Sequence, residues 1–354
     1  MRRAILFEKL EGEFVRCTAC AHYCRIMNGM SGACGVRKNI GGELYLSTYG
    51  KAVAANNDPI EKKPLNHFLP GTTVFSIGTL GCNFSCDFCQ NWDISQAMRL
   101  LRGQAKGGVQ QAETMLQRAA NDGMDLPPER IVQETKLHGS KSIAFTYNEP
   151  TIAFEYARDT FILAKKEGLK TVFVSNGFQS KECMEALKGC GLDAIRIDVK
   201  SFNENFYRDI CKARLEPVLE SVKLAHRLGL WVEIITLVIP GKNDSDEELK
   251  QIAEFVAGVD KSMPWHVTAF HPDYKMANVP ATQKAKLERA WKIGKDAGLE
   301  YVYIGNVDAG KYGDTYCPKC NELLIKRDGF SGEKIGLVDG MCRKCKNKIA
   351  GVWS

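Results

Sequence analysis

The sequence predicts an α/β protein: a parallel sheet or barrel at the centre, helices outside it, and a small cysteine-rich module at each end. Three observations carry this prediction. From about residue 73 to 307, β-branched runs alternate with amphipathic segments, the pattern of repeated strand–helix units. Of 14 cysteines, eleven fall into three tight blocks, near the first strand and at the two chain ends. The 354 residues give room for about two domains. At 44% hydrophobic and 25% charged, the composition excludes disordered and fibrous classes.

Residues 1–70 form a Gly-rich block carrying Cys17, Cys20, Cys24 and Cys34, then a connector with Pro59, Pro64 and Pro70. The first clean strand is 73–78, and further β runs lie at 142–145, 171–174, 194–197, 231–239, 266–270 and 301–304. Helical stretches lie between them at 155–166, 218–228, 247–257 and 284–297. The barrel segment is thus 71–310, with a Gln-, Ala-, Arg- and Leu-rich helical insertion at about 95–140. Residues 311–354 are a short, basic, cysteine-paired tail. In such sheets ligands sit at the C-terminal ends of the strands.

Charge appears at Arg2 and Arg3, before any apolar run of signal-peptide length. The longest apolar stretch, 231–240, contains Glu233 and falls well short of the roughly 20 residues of a spanning helix. Clustered C-x-x-C pairs therefore read as metal ligands in a cytoplasmic protein with no membrane role. A net charge of +6 suits an anionic ligand and does not demand nucleic acid.

Directly after the first strand comes Cys82-Asn83-Phe84-Ser85-Cys86-Asp87-Phe88-Cys89. Three thiolates can wrap one cubane from a single loop, and a 4Fe–4S cluster wants four. An iron without a protein ligand is an open coordination site. A distant fourth cysteine (Cys183, Cys190 or Cys211) would instead close a zinc or ferredoxin-type site. The C-x3-C-x-aromatic-C pattern, with Phe88 as the aromatic, resembles the signature of the radical S-adenosylmethionine (SAM) superfamily. The resemblance implies a 4Fe–4S cluster on Cys82, Cys86 and Cys89 whose open iron chelates SAM. Reductive cleavage then gives a 5′-deoxyadenosyl radical that abstracts hydrogen.

The strand ends extend the resemblance. Tyr147-Asn148-Glu149-Pro150 is similar to the Gly-Gly-Glu-Pro element that receives the SAM amino group, with Tyr147 and Asn148 in place of the glycines. Ser175 and Asn176, small and polar, suit a carboxylate or ribose. Asp198-Val199-Lys200 resembles the Asp-x-Lys of glycyl-radical-enzyme activases, which implies a Lys200 contact to the SAM carboxylate and an Asp198 contact to a ribose or cation. His271 fits a ribose- or sulfonium-side contact, and Asn306 either lines the pocket or turns the chain.

Cys317, Cys320, Cys342 and Cys345 form two C-x-x-C knuckles separated by 21 residues, a zinc-ribbon pattern that rubredoxin-like iron would share. Its lysines and arginines lack the aromatic interleaving of nucleic-acid binders, so nucleic acid is not expected as a partner. Cys17, Cys20, Cys24 and Cys34 supply four thiolates within 18 residues, suited to structural zinc or an accessory iron–sulfur cluster. His22 either replaces one of them or faces solvent.

The block 17–37, the stretch 58–64, Cys89-Gln90-Asn91-Trp92, the segment 147–151 and the closing ribbon together look like the AmmeMemoRadiSam-system radical SAM proteins, which are pyruvate formate-lyase-activating-enzyme-like. That resemblance implies a partial (β/α)6 barrel, Memo-like and AMMECR-like partners, and a one-electron donor such as ferredoxin or flavodoxin. The expected function is hydrogen abstraction from a small-molecule or partner-bound substrate; the alternative is activation of a glycyl-radical enzyme.

Overall fold

Runs of β-branched and aromatic residues buried on both faces form parallel strands, because only neighbouring strands and covering helices can satisfy both their backbone and side chains. The computed structural model describes residues 1–354. It divides them into two units: residues 1–57 with 74–193, and residues 58–73 with 194–354.

In the first unit the central strands are β1 (Thr73–Gly78), β2 (Ser142–Phe145) and β3 (Lys170–Ser175). β2 pairs in parallel with both others, Ser142 lying opposite Val74 and Lys170. The stretch between β1 and β2 carries a single helical turn at Trp92–Ser95 and three longer helices: α1 (Ala97–Gln104), α2 (Gly108–Asn121) and α3 (Pro128–Leu137). Proline opens α3, where its missing N–H costs no hydrogen bond. α4 (Phe154–Lys166) and α5 (Lys181–Gly189) follow β2 and β3. Phe145 packs edge-on against Tyr156 and Phe161 of α4, with ring centroids 5.2 and 5.7 Å away. The sequence pattern did not announce α5, which is short and begins where the Ser180 hydroxyl accepts the Cys183 N–H at 3.1 Å.

The N-terminal block of this unit consists of short antiparallel strands of two to four residues around a small core of Ala4, Val15, Ala19, Ile26 and Leu44. It is tied to α4 by a buried bidentate ion pair. Arg37 donates to both Glu155 oxygens at 2.8 Å, and a third bond reaches the Ile152 carbonyl at 3.2 Å.

In the second unit β4 (Ala194–Asp198), β5 (Trp231–Val238), β6 (Trp265–Ala269) and β7 (Val302–Gly305) pair in parallel in that order. They alternate with α6 (Glu216–Arg227), α7 (Asp246–Val259) and α8 (Lys284–Asp296). The connector 58–73 belongs to this unit, where Asn66 and His67 donate their backbone N–H groups to Glu233 of β5 at 2.9 and 2.8 Å. The C-terminal tail adds a three-stranded antiparallel sheet, Thr315–Tyr316, Leu323–Asp328 and Ser331–Lys334. No helix is long and apolar enough to cross a membrane.

Candidate active site

β1 delivers the cysteine loop through Gly81. Its φ of +89° lies in the left-handed region, and a Cβ there would sit 2.6 Å from the Cys34 carbonyl oxygen. Beyond it Cys86 is buried while Cys82 and Cys89 are half-buried, and no disulfide joins them. The Phe84 N–H donates to Cys82 Sγ at 3.4 Å, the kind of bond that steadies an anionic sulfur. Phe84 and Phe88 are both buried, and Phe84 meets Phe178 edge-on at 5.2 Å. Burial, the nearby Glu149 carboxylate and Cys86 together push the Cys82 thiol well up. A bound cation would supply the countercharge that a thiolate there lacks.

The end of β2 fixes this loop. Asn148 Nδ2 donates to the Gly81 carbonyl at 2.7 Å and to Thr79 Oγ1 at 3.1 Å, while its Oδ1 accepts the Thr79 N–H at 3.2 Å. Tyr147 is in the left-handed region at φ 70°, and its carbonyl accepts from Asn91 Nδ2 at 2.8 Å. Glu149 is turned inward and 1% exposed. Its oxygens accept from Thr151 N–H and Oγ1 (3.0 and 2.5 Å), Ser175 Oγ (2.9 Å) and Asn176 N–H (2.7 Å). Burial raises its pKa against those bonds. Asn176 Nδ2 in turn donates to Asn83 Oδ1 at 2.8 Å, which joins the end of β3 to the cysteine loop.

Tyr147, Asn148, Glu149, Ser175, Asn176 and the cysteine triplet are thus one hydrogen-bonded assembly. Sequence reasoning missed three of its members: Asn83, a spacer inside the motif, and Thr79 and Asn91 on either side of it. Their signal was only their closeness to the cysteines. His22 is half-buried, and its Nε2 donates to the Asn83 carbonyl at 2.8 Å.

In the second unit Asp198 and Lys200 are paired with each other, Nζ to Oδ2 at 2.6 Å, and Arg196 also contacts Asp198. Burial works against the Asp198 carboxylate, but Arg196 and Lys200 hold its pKa below the ordinary value. His271 lies past the end of β6 and is exposed. His266, on the strand, is buried and donates from Nε2 to Glu233 at 2.7 Å. Asn306 sits at φ 59° and ties the end of β7 to the Ala269 carbonyl at 3.0 Å.

The sulfurs of Cys317, Cys320, Cys342 and Cys345 lie within 4.8 Å of one another, with Cys317–Cys345 and Cys320–Cys342 both at 3.6 Å. A tetrahedral site with metal–sulfur bonds of about 2.3 Å needs sulfurs about 3.8 Å apart, so this set can hold one metal ion. Backbone N–H groups of Cys345 and Lys344 help bring the Cys342 thiol down to about 7.

The family model of the radical SAM superfamily matches residues 76–256, from β1 into α7. The chain belongs to the radical SAM superfamily. This radical SAM enzyme is 42% identical over 347 residues to the uncharacterized protein MJ0808 of Methanocaldococcus jannaschii, covering 98% of this chain and 97% of that one. It is 26% identical over 172 residues to the pyruvate formate-lyase 1-activating enzyme of Escherichia coli K12, covering 44% and 68%. Among solved structures it is similar to Streptococcus suis SuiB bound to its precursor peptide SuiA, with a TM-score of 0.48, 16% identity and coverage of 70% and 51%.

The family uses a 4Fe–4S cluster that supplies the electron for cleaving SAM, and the resulting 5′-deoxyadenosyl radical takes hydrogen from the substrate. The three cysteines and the Phe84 N–H fit the ligand loop of that cluster. What the chain itself contributes is position: Asn148 and Asn176 fix the loop, and Glu149 fixes Ser175 and Asn176.

Proposed function

We propose that Cys82, Cys86 and Cys89 ligate the 4Fe–4S cluster, leave one iron open to SAM, and serve hydrogen abstraction from a small-molecule or partner-bound substrate. The observation that carries this reading is the pinning of the three-cysteine loop beyond β1 by side chains from the ends of β2 and β3. Phe88, Ser175 and Asn176 are the proposed SAM contacts of the first unit. The backbone of Tyr147 and Asn148 takes the amino group, and Glu149 acts by holding its neighbours. Asp198, Lys200 and His271 are the proposed contacts of the second unit, with Lys200 exchanging Asp198 for the SAM carboxylate. The architecture is a partial (β/α)6 barrel, and the C-terminal four cysteines hold zinc, a tetrahedral ion that their sulfur spacing accommodates.

The electron comes from a one-electron donor such as ferredoxin or flavodoxin in the cytoplasm. Memo-like and AMMECR-like proteins are the proposed partners, on the resemblance to the AmmeMemoRadiSam system. The test is 5′-deoxyadenosine formation by anaerobically reconstituted protein with SAM and a strong reductant. Formation should vanish in Cys86→Ala and persist in Cys342→Ala. Normal cleavage by Cys86→Ala would refute the assignment.

A second reading, activation of a glycyl-radical enzyme, is favoured by two relatives. One is the Escherichia coli activating enzyme; the other is a Methanocaldococcus jannaschii protein named as a putative glycyl-radical enzyme activating enzyme, 24% identical over 228 residues. It predicts a glycyl-radical doublet in electron paramagnetic resonance (EPR) when the protein meets its partner, a signal the first reading does not produce.

A further inference from the structure

Cys17, Cys20, Cys24 and Cys34 do not gather as tightly as the C-terminal four. They line one small pocket together with residues that include His22, Arg37, Asn83 and Ile152. Three of the four are buried and Cys24 is half-buried. No disulfide joins them.

Four thiolates around a single zinc ion touch one another, as the 3.6 Å sulfur contacts at the C-terminus illustrate. A cubane of four irons and four sulfides occupies the middle of its ligand set and holds the thiolates apart, which is the arrangement of a pocket lined by four cysteines.

A second observation points the same way. Two residues lining the pocket carry buried N–H donors with no partner: Arg37 Nε and Asn83 Nδ2. The Asn83 amide is oriented unambiguously, because its Oδ1 already accepts from Asn176. The other Arg37 nitrogens are committed to Glu155 and Ile152. An unmet buried donor costs about 1–3 kcal/mol. The inorganic sulfides of a cluster are acceptors that a lone zinc ion does not bring.

We propose that Cys17, Cys20, Cys24 and Cys34 ligate a second 4Fe–4S cluster, with Arg37 Nε and Asn83 Nδ2 donating to its sulfurs. With all four irons bound by cysteine, this cluster has no open site for SAM. The assignment is independent of the role of the Cys82 loop, and its test removes that loop's thiols.

The full-length Cys82→Ala, Cys86→Ala, Cys89→Ala variant is reconstituted anaerobically with iron and sulfide, desalted over chelator, and assayed for iron, acid-labile sulfide and zinc. It should keep about four irons and four sulfides per chain, with a broad absorption that dithionite bleaches. Zinc should stay at about one per chain, from the C-terminal knuckles. Adding Cys17→Ala and Cys34→Ala should abolish the remaining iron and sulfide. Because that variant could misfold, Cys24→Ser is the companion: one conservative ligand change that should shift the EPR spectrum of the reduced cluster. About two zincs per chain with no sulfide would overturn the proposal, as would iron without sulfide, about two irons with two sulfides, or an unchanged spectrum in Cys24→Ser.

Discussion

His67 Nε2 accepts the Tyr303 hydroxyl at 2.6 Å, while His67 Nδ1–H donates to the Ala350 carbonyl at 2.7 Å. Burial favours the neutral imidazole, and the Ala350 carbonyl fixes its proton on Nδ1. The chain continues outward: Thr315 Oγ1 lies 2.8 Å from the Tyr303 hydroxyl, and Arg327 donates to Thr315 at 2.8 Å. These bonds join the connector, β7 and the C-terminal sheet of the second unit.

Acid should loosen this unit. Burial pushes His67 down to about 4 and lowers His266 despite its Glu233 partner. A histidine with a depressed folded pKa leaves stability intact above its unfolded value near 6.5 and removes it as pH falls from there toward the folded value. Denaturant unfolding at pH 7 and pH 5 should differ by about 2 kcal/mol from His67 alone. His67→Gln should remove that share of the pH dependence; an unchanged profile would show that His67 is not held neutral.

The Arg37–Glu155 pair is nearly solvent-free on both sides, with side chains 2% and 3% exposed. Glu155→Ala strands a buried guanidinium and should cost about 3–5 kcal/mol. The double change Arg37→Met with Glu155→Leu removes both charges and should cost less than half of that. Additive losses in the double-mutant cycle would contradict the pairing.

Gly81→Ala drives a methyl group against the Cys34 carbonyl and forces a left-handed alanine. The expected loss is about 3 kcal/mol. Iron content should fall alongside, because the loop that starts at Cys82 is displaced. Normal iron loading in a stable Gly81→Ala protein would show that the loop does not need this close approach.

Asn148→Ala leaves the cysteines in place but releases the loop from its bonds to Thr79 and Gly81. Turnover of SAM should drop about 10- to 100-fold while iron content stays normal. Loss of iron in the same proportion as activity would mean that Asn148 supports folding only.

Cys342→Ala removes a knuckle sulfur that is also part of the small core with Tyr303, Leu324 and Ile349. Bound zinc should fall by about one per chain and the melting temperature should drop. The 5′-deoxyadenosine yield per folded molecule should hold, measured after aggregates are removed.

The parallel strands were the most legible part of the chain. Buried on both faces, they read as unbroken runs such as Val232 to Val238, with little interruption except Glu233. That glutamate is legible only in retrospect, since its partners Asn66 and His67 are 167 and 166 residues away. Helix α5 escaped notice because it spans only nine residues, and its start depends on one serine cap. The short N-terminal strands depend on turns and long-range ties such as Arg37 to Glu155, 118 residues apart, which leave no local pattern. In the site, the cysteine spacing was readable because three ligands on one loop are a local requirement. The service of Asn148 and Glu149 as internal braces was not, since hydrogen-bond partners across strands follow from folding rather than from neighbouring residues.

The chain passes between its two units three times, at 57/58, 73/74 and 193/194. A single cut after residue 193 would therefore not yield two self-sufficient halves. The fragment 1–193 would carry away residues 58–73, and with them the His67 that Tyr303 and Glu233 grip and the Asn66 carbonyl that accepts from Arg327. Nicked protein should hold together until denatured, and the two pieces, expressed separately, should find each other: a ready-made split protein whose reassembly is driven by one short borrowed segment.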